Sequence, residues 1–447
     1  MHAISAPAPS TRSVAMLGLG FIACFVAMVT WIMNTATYRE WGGLVVAVGI
    51  VIVSIPILSK QARREENPRV FWFLLIALLV KLLFAAIRHY VTFDLYGVAD
   101  AVVYNRFGTE IANGFRAGDF TPDLPSFTDT EFIKLLTGIV YTFMGPTTWG
   151  GFLFFGWLSF LGVFLMYRAF KLAVPGASRA YGGFLFFLPS LLFWPSSIGK
   201  EGWMLFALGI AVFGCARAFT GSVARGLPLI VVGSALAGVV RPHVAGFVGV
   251  GIAGAVLMMR PSKEKLGELA PIVRTASLVA VIGLLATVVI SAGSFLQDAG
   301  IETEEGLSGT LASVSERTSK GDSSFSTPSL TSPLGLPLAV VTVLFRPFVF
   351  EASNSQMLMT AAEGVFLMLF SVVRIPSVWS AVRSVRQNPF MGFALVYTAV
   401  SIIGLSSLGN FGLLARQRTM LFPIYLALLL FPRQRNKTPE EASSVAV

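Results

Sequence analysis

The sequence predicts an all-α fold: a polytopic helical membrane protein with about twelve transmembrane crossings plus re-entrant or interfacial helices. Three observations predict it. Hydrophobic residues make up 55% of the chain and charged residues 13%, with a mean hydropathy of +0.75, which excludes a soluble multi-domain protein. Apolar runs, several of them about 17–25 residues long, recur along the whole chain. Lysine and arginine cluster in alternate short intervals between those runs, the pattern that marks the cytoplasmic side. The formal charge of +10 therefore belongs to membrane orientation and not to nucleic acid. Cys24 and Cys215 both lie inside apolar runs, which argues against a disulfide framework and a cysteine metal site.

The first predicted span, residues 14–33, follows a single arginine, Arg12, and has no small-residue cleavage site, so it reads as an uncleaved signal anchor. A second span at 41–58 leads to Lys60, Arg63, Arg64 and Arg69, the clearest cytoplasmic interval. That interval puts the amino terminus inside and brings the third span, 70–90, out at Arg88 and His89. The interval 91–131 then carries seven carboxylates against two arginines. Within it Val103, Phe107, Ile111 and Phe115 recur every four positions, with Asp100, Arg106 and Glu110 off the stripe. This spacing predicts a short amphipathic helix lying on a surface.

Residues 132–144 are apolar but short, carry Lys134, and stop at Gly145-Pro146, so they read as interfacial or re-entrant. One crossing at 150–167 then reaches the basic interval of Arg168, Lys171 and Arg179; a second crossing would place those three residues outside. Spans at 181–194 and 203–216 are joined outside by Pro195 to Gly202, and Arg217 and Arg225 return inside. Spans at 227–240 and 244–259 are joined outside by Arg241-Pro242-His243. Arg260, Lys263, Lys265 and Arg274 lie inside before a span at 276–295 and the Ser/Thr/Gly-rich loop 297–335. Residues 336–345 are cut short by Arg346-Pro347 and read as re-entrant. Spans at 357–373, 390–408 and 420–430 complete the chain, with Arg374, Arg383 and Arg386 inside, Arg416 and Arg418 outside, and Arg433, Arg435 and Lys437 inside. The reading is one transmembrane domain over residues 1–437, outer loops 91–131 and 297–335, a tail at 438–447, and both termini cytoplasmic.

This topology gathers Asp94, Asp100, Lys200, Glu201, Arg241, His243, Arg346, Glu351, Arg416 and Arg418 at the outer ends of spans. Each has a plain structural reading: arginines at span ends snorkel to headgroups, Lys200 and Glu201 can pair with each other, and Arg241-Pro242 suits a tight hairpin. A charge at membrane depth costs ~2.5–3.5 kcal/mol on insertion scales, which makes Arg346, Glu351 and the mid-span Lys81 harder to dismiss. Taken together the residues describe an outward-facing cavity. Its cations suit phosphate or diphosphate, arginine through bidentate contacts, and a carboxylate there suits a general base. No Walker loop, zinc ligand set or Gly-x-Ser-x-Gly elbow occurs, and Gly199-Lys200-Glu201-Gly202 lacks the spacing of a nucleotide loop.

Asp100-Ala-Val-Val-Tyr104 in the first large outer loop resembles the acidic motif of GT-C membrane glycosyltransferases. Arg416-Gln-Arg418-Thr-Met-Leu-Phe-Pro423 is similar to the Arg-x-Arg-x-x-x-x-Pro pattern near the carboxyl end of bacterial members. The stretch from Phe187 through Trp194-Pro195 to Lys200-Glu201 resembles a segment of bacterial polysaccharide-locus membrane proteins. The resemblance implies a glycosyltransferase that moves a sugar from a polyprenyl-phosphate donor to a glycan or lipid-linked acceptor at the outer face, in cell-envelope polysaccharide assembly. It implies Asp100 as base, with Asp94 and Glu201 as further catalytic candidates. Tyr104, Lys200, Arg241, His243, Arg346, Glu351, Arg416 and Arg418 are the expected substrate contacts. No metal site is expected among the residues and no cofactor is assigned, a divalent cation being left open. Two alternatives remain: a Wzy-like repeat-unit polymerase or ligase, which depends on the arginines more than on Asp100, and a lipid or polysaccharide transporter. The latter needs polar residues through the membrane, and only Lys81 and Glu363 stand out there.

Overall fold

The computed structural model describes residues 37–97, 99–259 and 334–433, with scattered positions between 20 and 35 and between 318 and 332. The described chain is helical, and no β-strand occurs among the described residues. Five helices are long and apolar enough to cross a membrane: α1 (Tyr38–Arg64), α2 (Pro68–Tyr90), α5 (Thr148–Ala173), α8 (Lys200–Thr220) and α12 (Ser355–Ser384). Four more apolar helices have 10–17 residues: α9 (Val223–Gly238), α10 (Pro242–Met258), α11 (Gly335–Phe345) and α13 (Pro389–Leu405). The spans predicted at 14–33 and 276–295, most of loop 297–335 and the tail at 438–447 lie outside the described residues.

The centre of the molecule is α5 against α8. Their most apolar windows are 72% buried within the protein, whereas those of α1, α2 and α12 are only 28%, 33% and 22% buried. Glycine makes the close approach possible. A Cβ on Gly162 of α5 would strike the Leu205 carbonyl of α8, and one on Gly226 of α9 would lie 2.6 Å from the Gly214 carbonyl of α8. Small residues at such crossings let backbones touch where lipid offers no hydrophobic drive for association.

Several predicted boundaries move. The helix expected at 41–58 runs on to Arg64, because Lys60, Arg63 and Arg64 are good helix formers and cations suit a helix C-terminus. The helix expected at 357–373 likewise continues through Arg374 and Arg383 to Ser384. The span expected at 181–194 is instead two short helices, α6 (Ala180–Phe187) and α7 (Pro189–Phe193). Pro189 supplies no N–H and forces Leu188 into an extended conformation (φ −65°, ψ 124°), so the helix restarts there.

The acidic interval forms a π-turn at Val91–Tyr96, closed by Gly97 at φ 67°, and then α3 (Asp100–Arg116). The apolar stripe marks the buried face only in part, Ile111 being buried and Phe107 and Phe115 half-buried. Val103 is exposed, and the buried residues are Ala101, Tyr104, Asn105, Gly108, Ile111 and Ala112. The reason is a partner helix, α4 (Asp129–Met144), lying beside α3 and running the same way. Lys134 sits 4.1 Å from the Phe107 ring, Gly108 and Ile111 meet Thr137 and Gly138, and Arg116 donates to the Tyr141 and Thr142 carbonyls. The parallel run puts the acidic first turns of both helices, Asp100 and Asp129, at one end. Residues 132–144, expected to be interfacial or re-entrant, are the body of α4.

Candidate functional site

A cavity of about 250 Å³ opens at that end. Its walls are Arg88 at the end of α2, Thr92 of the π-turn, Asp100 and Tyr104 of α3, and Thr130 of α4. The loop after α7 adds Trp194 and Ser197 to Gly199, and α8 begins in the wall with Lys200 and Glu201. Arg241, the N-cap residue of α10, and Leu413, Arg416 and Gln417 of α14 (Phe411–Gln417) close it. Of the residues expected from sequence, Asp100, Tyr104, Lys200, Glu201, Arg241 and Arg416 are thus brought together from positions up to 316 apart.

The charges sort into specific pairs. Arg416 Nη1 reaches Asp100 Oδ2 at 3.2 Å, Arg241 Nη2 reaches Glu201 Oε1 at 2.9 Å, and Lys200 Nζ reaches Asp129 Oδ1 at 2.6 Å. Lys200 and Glu201 do not pair with each other, because consecutive helix residues point about 100° apart and meet different neighbours. The Arg241–Glu201 pair is nearly enclosed, with side chains 12% exposed, whereas the Asp100 side chain is 72% exposed. The first is a fixed wall element and the second an accessible carboxylate. Burial raises the Tyr104 hydroxyl well above its ordinary pKa, and the negative Asp100 and Glu201 push it the same way. The phenol is therefore a neutral hydrogen-bond donor at physiological pH.

Arg88 and Trp194 complete the wall. Two guanidinium groups lie over the Trp194 ring, Arg88 at 5.0 Å and Arg416 at 5.7 Å, and Arg88 also covers Phe193 at 4.6 Å. Arg88 Nη1 donates to Gln356 Oε1 at 3.2 Å, while the Nε atoms of Arg88 and Arg416 are buried and have no partner among the described residues. Sequence reading takes Arg88 only as the end of a span. The signal that distinguishes it is the Phe193-Trp194 pair it stacks upon, which no linear pattern connects to it.

The position of Trp194 follows from α7. Glu363 Oε2 of α12 accepts from the Ser190 N–H at 2.5 Å, and Lys81 Nζ of α2 donates to the Leu191 and Leu192 carbonyls at 2.7 and 3.2 Å. The mid-span lysine, which the sequence leaves without a partner, thus satisfies carbonyls at the end of a short helix that cannot satisfy them itself.

The remaining expected residues stand apart from this cavity. Asp94 is exposed on the π-turn and does not line it. Arg346 makes a bidentate contact with Glu351 (Nε to Oε1 3.0 Å; Nη2 also donates to Oε1) and lies 4.6 Å from the Phe325 ring and 5.1 Å from that of Phe411. Burial alone would raise the Glu351 pKa; the hydrogen bonds from Arg346 and from the Phe348 N–H outweigh it and hold the group below its ordinary value. The expected phosphate contact of Arg346 is therefore taken up by its own neighbour five residues on. Arg418 is fully buried and donates to the Arg346 carbonyl at 2.5 Å, so of the Arg-x-Arg pair only Arg416 reaches the cavity. His243 lies beside Gln417, a cavity residue, without lining the cavity itself.

A second cavity, of about 280 Å³, lies across Trp194, Leu413 and Arg416 and is otherwise lined by uncharged residues, among them Asn354, Gln356, Thr360 and Phe411. No group of three or more His, Cys, Asp or Glu side chains suited to a metal occurs among the described residues. Asp100, Glu201 and Asp129 each have a cation as partner. No protein-family model, curated protein or solved structure matches this chain.

Proposed function

We propose that the chain is a multi-pass membrane glycosyltransferase that moves a sugar from a polyprenyl-phosphate donor to an acceptor hydroxyl in cell-envelope polysaccharide assembly. In this reading it has about twelve crossings, both termini cytoplasmic, and the site on the outer face. The observation that carries the reading is the charge of the first cavity: four cations, Arg88, Lys200, Arg241 and Arg416, face two carboxylates, Asp100 and Glu201. Two guanidinium groups beside one indole, both in the wall of the same cavity, suit a phosphate that accepts from both. The donor phosphate competes with Asp100 for Arg416 and releases the carboxylate as it binds. Asp100 then takes the proton of the acceptor hydroxyl while the acceptor oxygen bonds to the anomeric carbon. The bond from that carbon to the phosphate oxygen breaks, and the phosphate leaves with the electron pair beside Arg88 and Arg416. Tyr104 donates to an oxygen of either substrate, and Glu201 stays with Arg241.

The transporter reading loses its intramembrane carriers, since Lys81 and Glu363 both hold the backbone of α7. The polymerase reading keeps the arginines and depends less on Asp100. Sugar transfer from a polyprenyl-phosphate donor by purified Asp100→Asn protein separates the two. Loss of a general base lowers the rate by roughly 10²–10⁴-fold, about 3–5 kcal/mol of transition-state stabilisation, with donor binding retained. Transfer within a few-fold of the unsubstituted protein moves the assignment to the polymerase.

A further inference from the structure

We infer that the uncharged cavity beside Arg416 is a saccharide subsite, which holds the sugar of the donor while the charged cavity holds its phosphate. The inference rests on the reading of the charged cavity as the phosphate site. Its own evidence is the lining. Apart from the shared Arg416, no charged side chain lines the second cavity, so it does not call for a second anion. Amides and a hydroxyl in the wall also make it a poor berth for a hydrocarbon tail, which would leave them without partners.

The polar groups are oriented by bonds they already make. Asn354 Oδ1 caps α12 by accepting from the Met357 N–H at 2.9 Å, and Gln356 Oε1 accepts from Arg88 at 3.2 Å. The oxygens being engaged, the amide nitrogens are the groups left to donate to a ligand. Thr360 donates its hydroxyl hydrogen to the Gln356 carbonyl at 2.8 Å and keeps lone pairs for accepting. Donors and acceptors in one wall match hydroxyl groups, which do both. Trp194 and Phe411 add aromatic surface to the wall, against which the C–H groups of a pyranose can pack. Adjacency follows from covalent structure. A sugar bonded directly to a phosphate requires two subsites with a common wall, and Trp194, Leu413 and Arg416 are that wall. Gln356 ties the halves together, lining the neutral cavity while holding Arg88 of the charged one.

The test uses full-length protein in lipid nanodiscs and radiolabelled probes: polyprenyl phosphate without sugar, and the polyprenyl phosphoryl derivatives of glucose, galactose, mannose and N-acetylglucosamine. At least one sugar-bearing probe is expected to bind about tenfold or more tighter than the bare lipid phosphate, the equivalent of one or two added hydrogen bonds. Asn354→Ser keeps a helix cap but removes the amide donor. It should reduce that advantage about five- to tenfold and leave bare-lipid binding within twofold. Gly412→Met, at a residue that lines the neutral cavity and not the charged one, should abolish the advantage. Equal binding of all five probes to the unsubstituted protein overturns the saccharide subsite and leaves the anion site standing. Binding of none of them overturns the proposed function beneath it. An advantage unchanged in both variants, or bare-lipid binding lost along with it, refutes the division into two subsites.

Discussion

Lys81→Met removes an amine that is 3% exposed in the middle of α2 and holds the helix in front of Trp194. Its two acceptors are not equivalent. The Leu192 carbonyl also accepts from the Ser196 hydroxyl at 2.5 Å, whereas Lys81 is the partner of the Leu191 carbonyl. Methionine fills the space but leaves Leu191 unsatisfied in a buried setting, at a cost of about 1–3 kcal/mol. It also removes the expense of keeping an ammonium group out of water, and the balance depends on whether α7 can relax. Pro189 and the Glu363–Ser190 bond restrain its other end, so the loss should prevail. The expected outcome is a melting temperature lower by roughly 2–6 °C in nanodiscs, with polyprenyl-phosphate affinity several-fold weaker because Phe193 and Trp194 no longer sit firmly against Arg88. A variant that melts at or above the parent temperature with unchanged affinity refutes the clamp and leaves Lys81 a tolerated buried charge.

Arg346→Ala should behave as a structural lesion, lowering the melting temperature while bare polyprenyl phosphate still binds, because Arg346 is occupied by Glu351. Glu351→Gln adds a pH signature. A carboxylate whose pKa is lowered on folding contributes stability in full above its ordinary value near 4.5, and loses it as pH falls through the lowered value. Melting temperatures of Glu351→Gln and the parent should therefore differ at pH 7, by the equivalent of about 1–3 kcal/mol, and converge under strong acid; a constant difference across that range refutes the ion pair. Cysteine placed at Asp119 should react with a membrane-impermeant reagent in intact cells, and cysteine at Arg64 only after permeabilisation. The reverse labelling would invert the topology and put the cavity on the cytoplasmic side.

Much of the fold is legible in the sequence because a bilayer leaves little choice: backbone groups in hydrocarbon must be satisfied within the segment, so long apolar runs become helices. The runs around Val70, Gly150 and Trp203 are helices in the structure, and of the ten charged or titratable residues that the sequence gathers at span ends, Asp100, Lys200, Glu201, Arg241 and Arg416 line one cavity. Local chemistry also settled some ends, as where Pro68 and Pro242 each open a helix at its first turn. Hydropathy does not report what a helix packs against. The stripe through Val103 and Phe107 is a sound apolar periodicity, yet the face that α3 buries was decided by α4 and the Gly108–Gly138 contact. Nor does it see a break such as Leu188-Pro189 inside an apolar run, which turns one expected span into two short helices.

Charge partners are the part that only tertiary structure decided. Lys200 and Glu201 are neighbours in the chain and diverge to Asp129 and Arg241; Arg416 and Arg418 look alike in sequence, but two residues along a tight turn send one into the cavity and bury the other. An ion pair or a stacked guanidinium needs its partner within a few ångströms, and residues as far apart as Asp100 and Arg416 meet only when the helices between them pack. Sequence alone thus determined that the chain is helical, apolar and charged at its span ends. Which of those charges face a ligand, and which merely hold one another, was decided by the packing of α3, α7, α8 and α14 around Trp194.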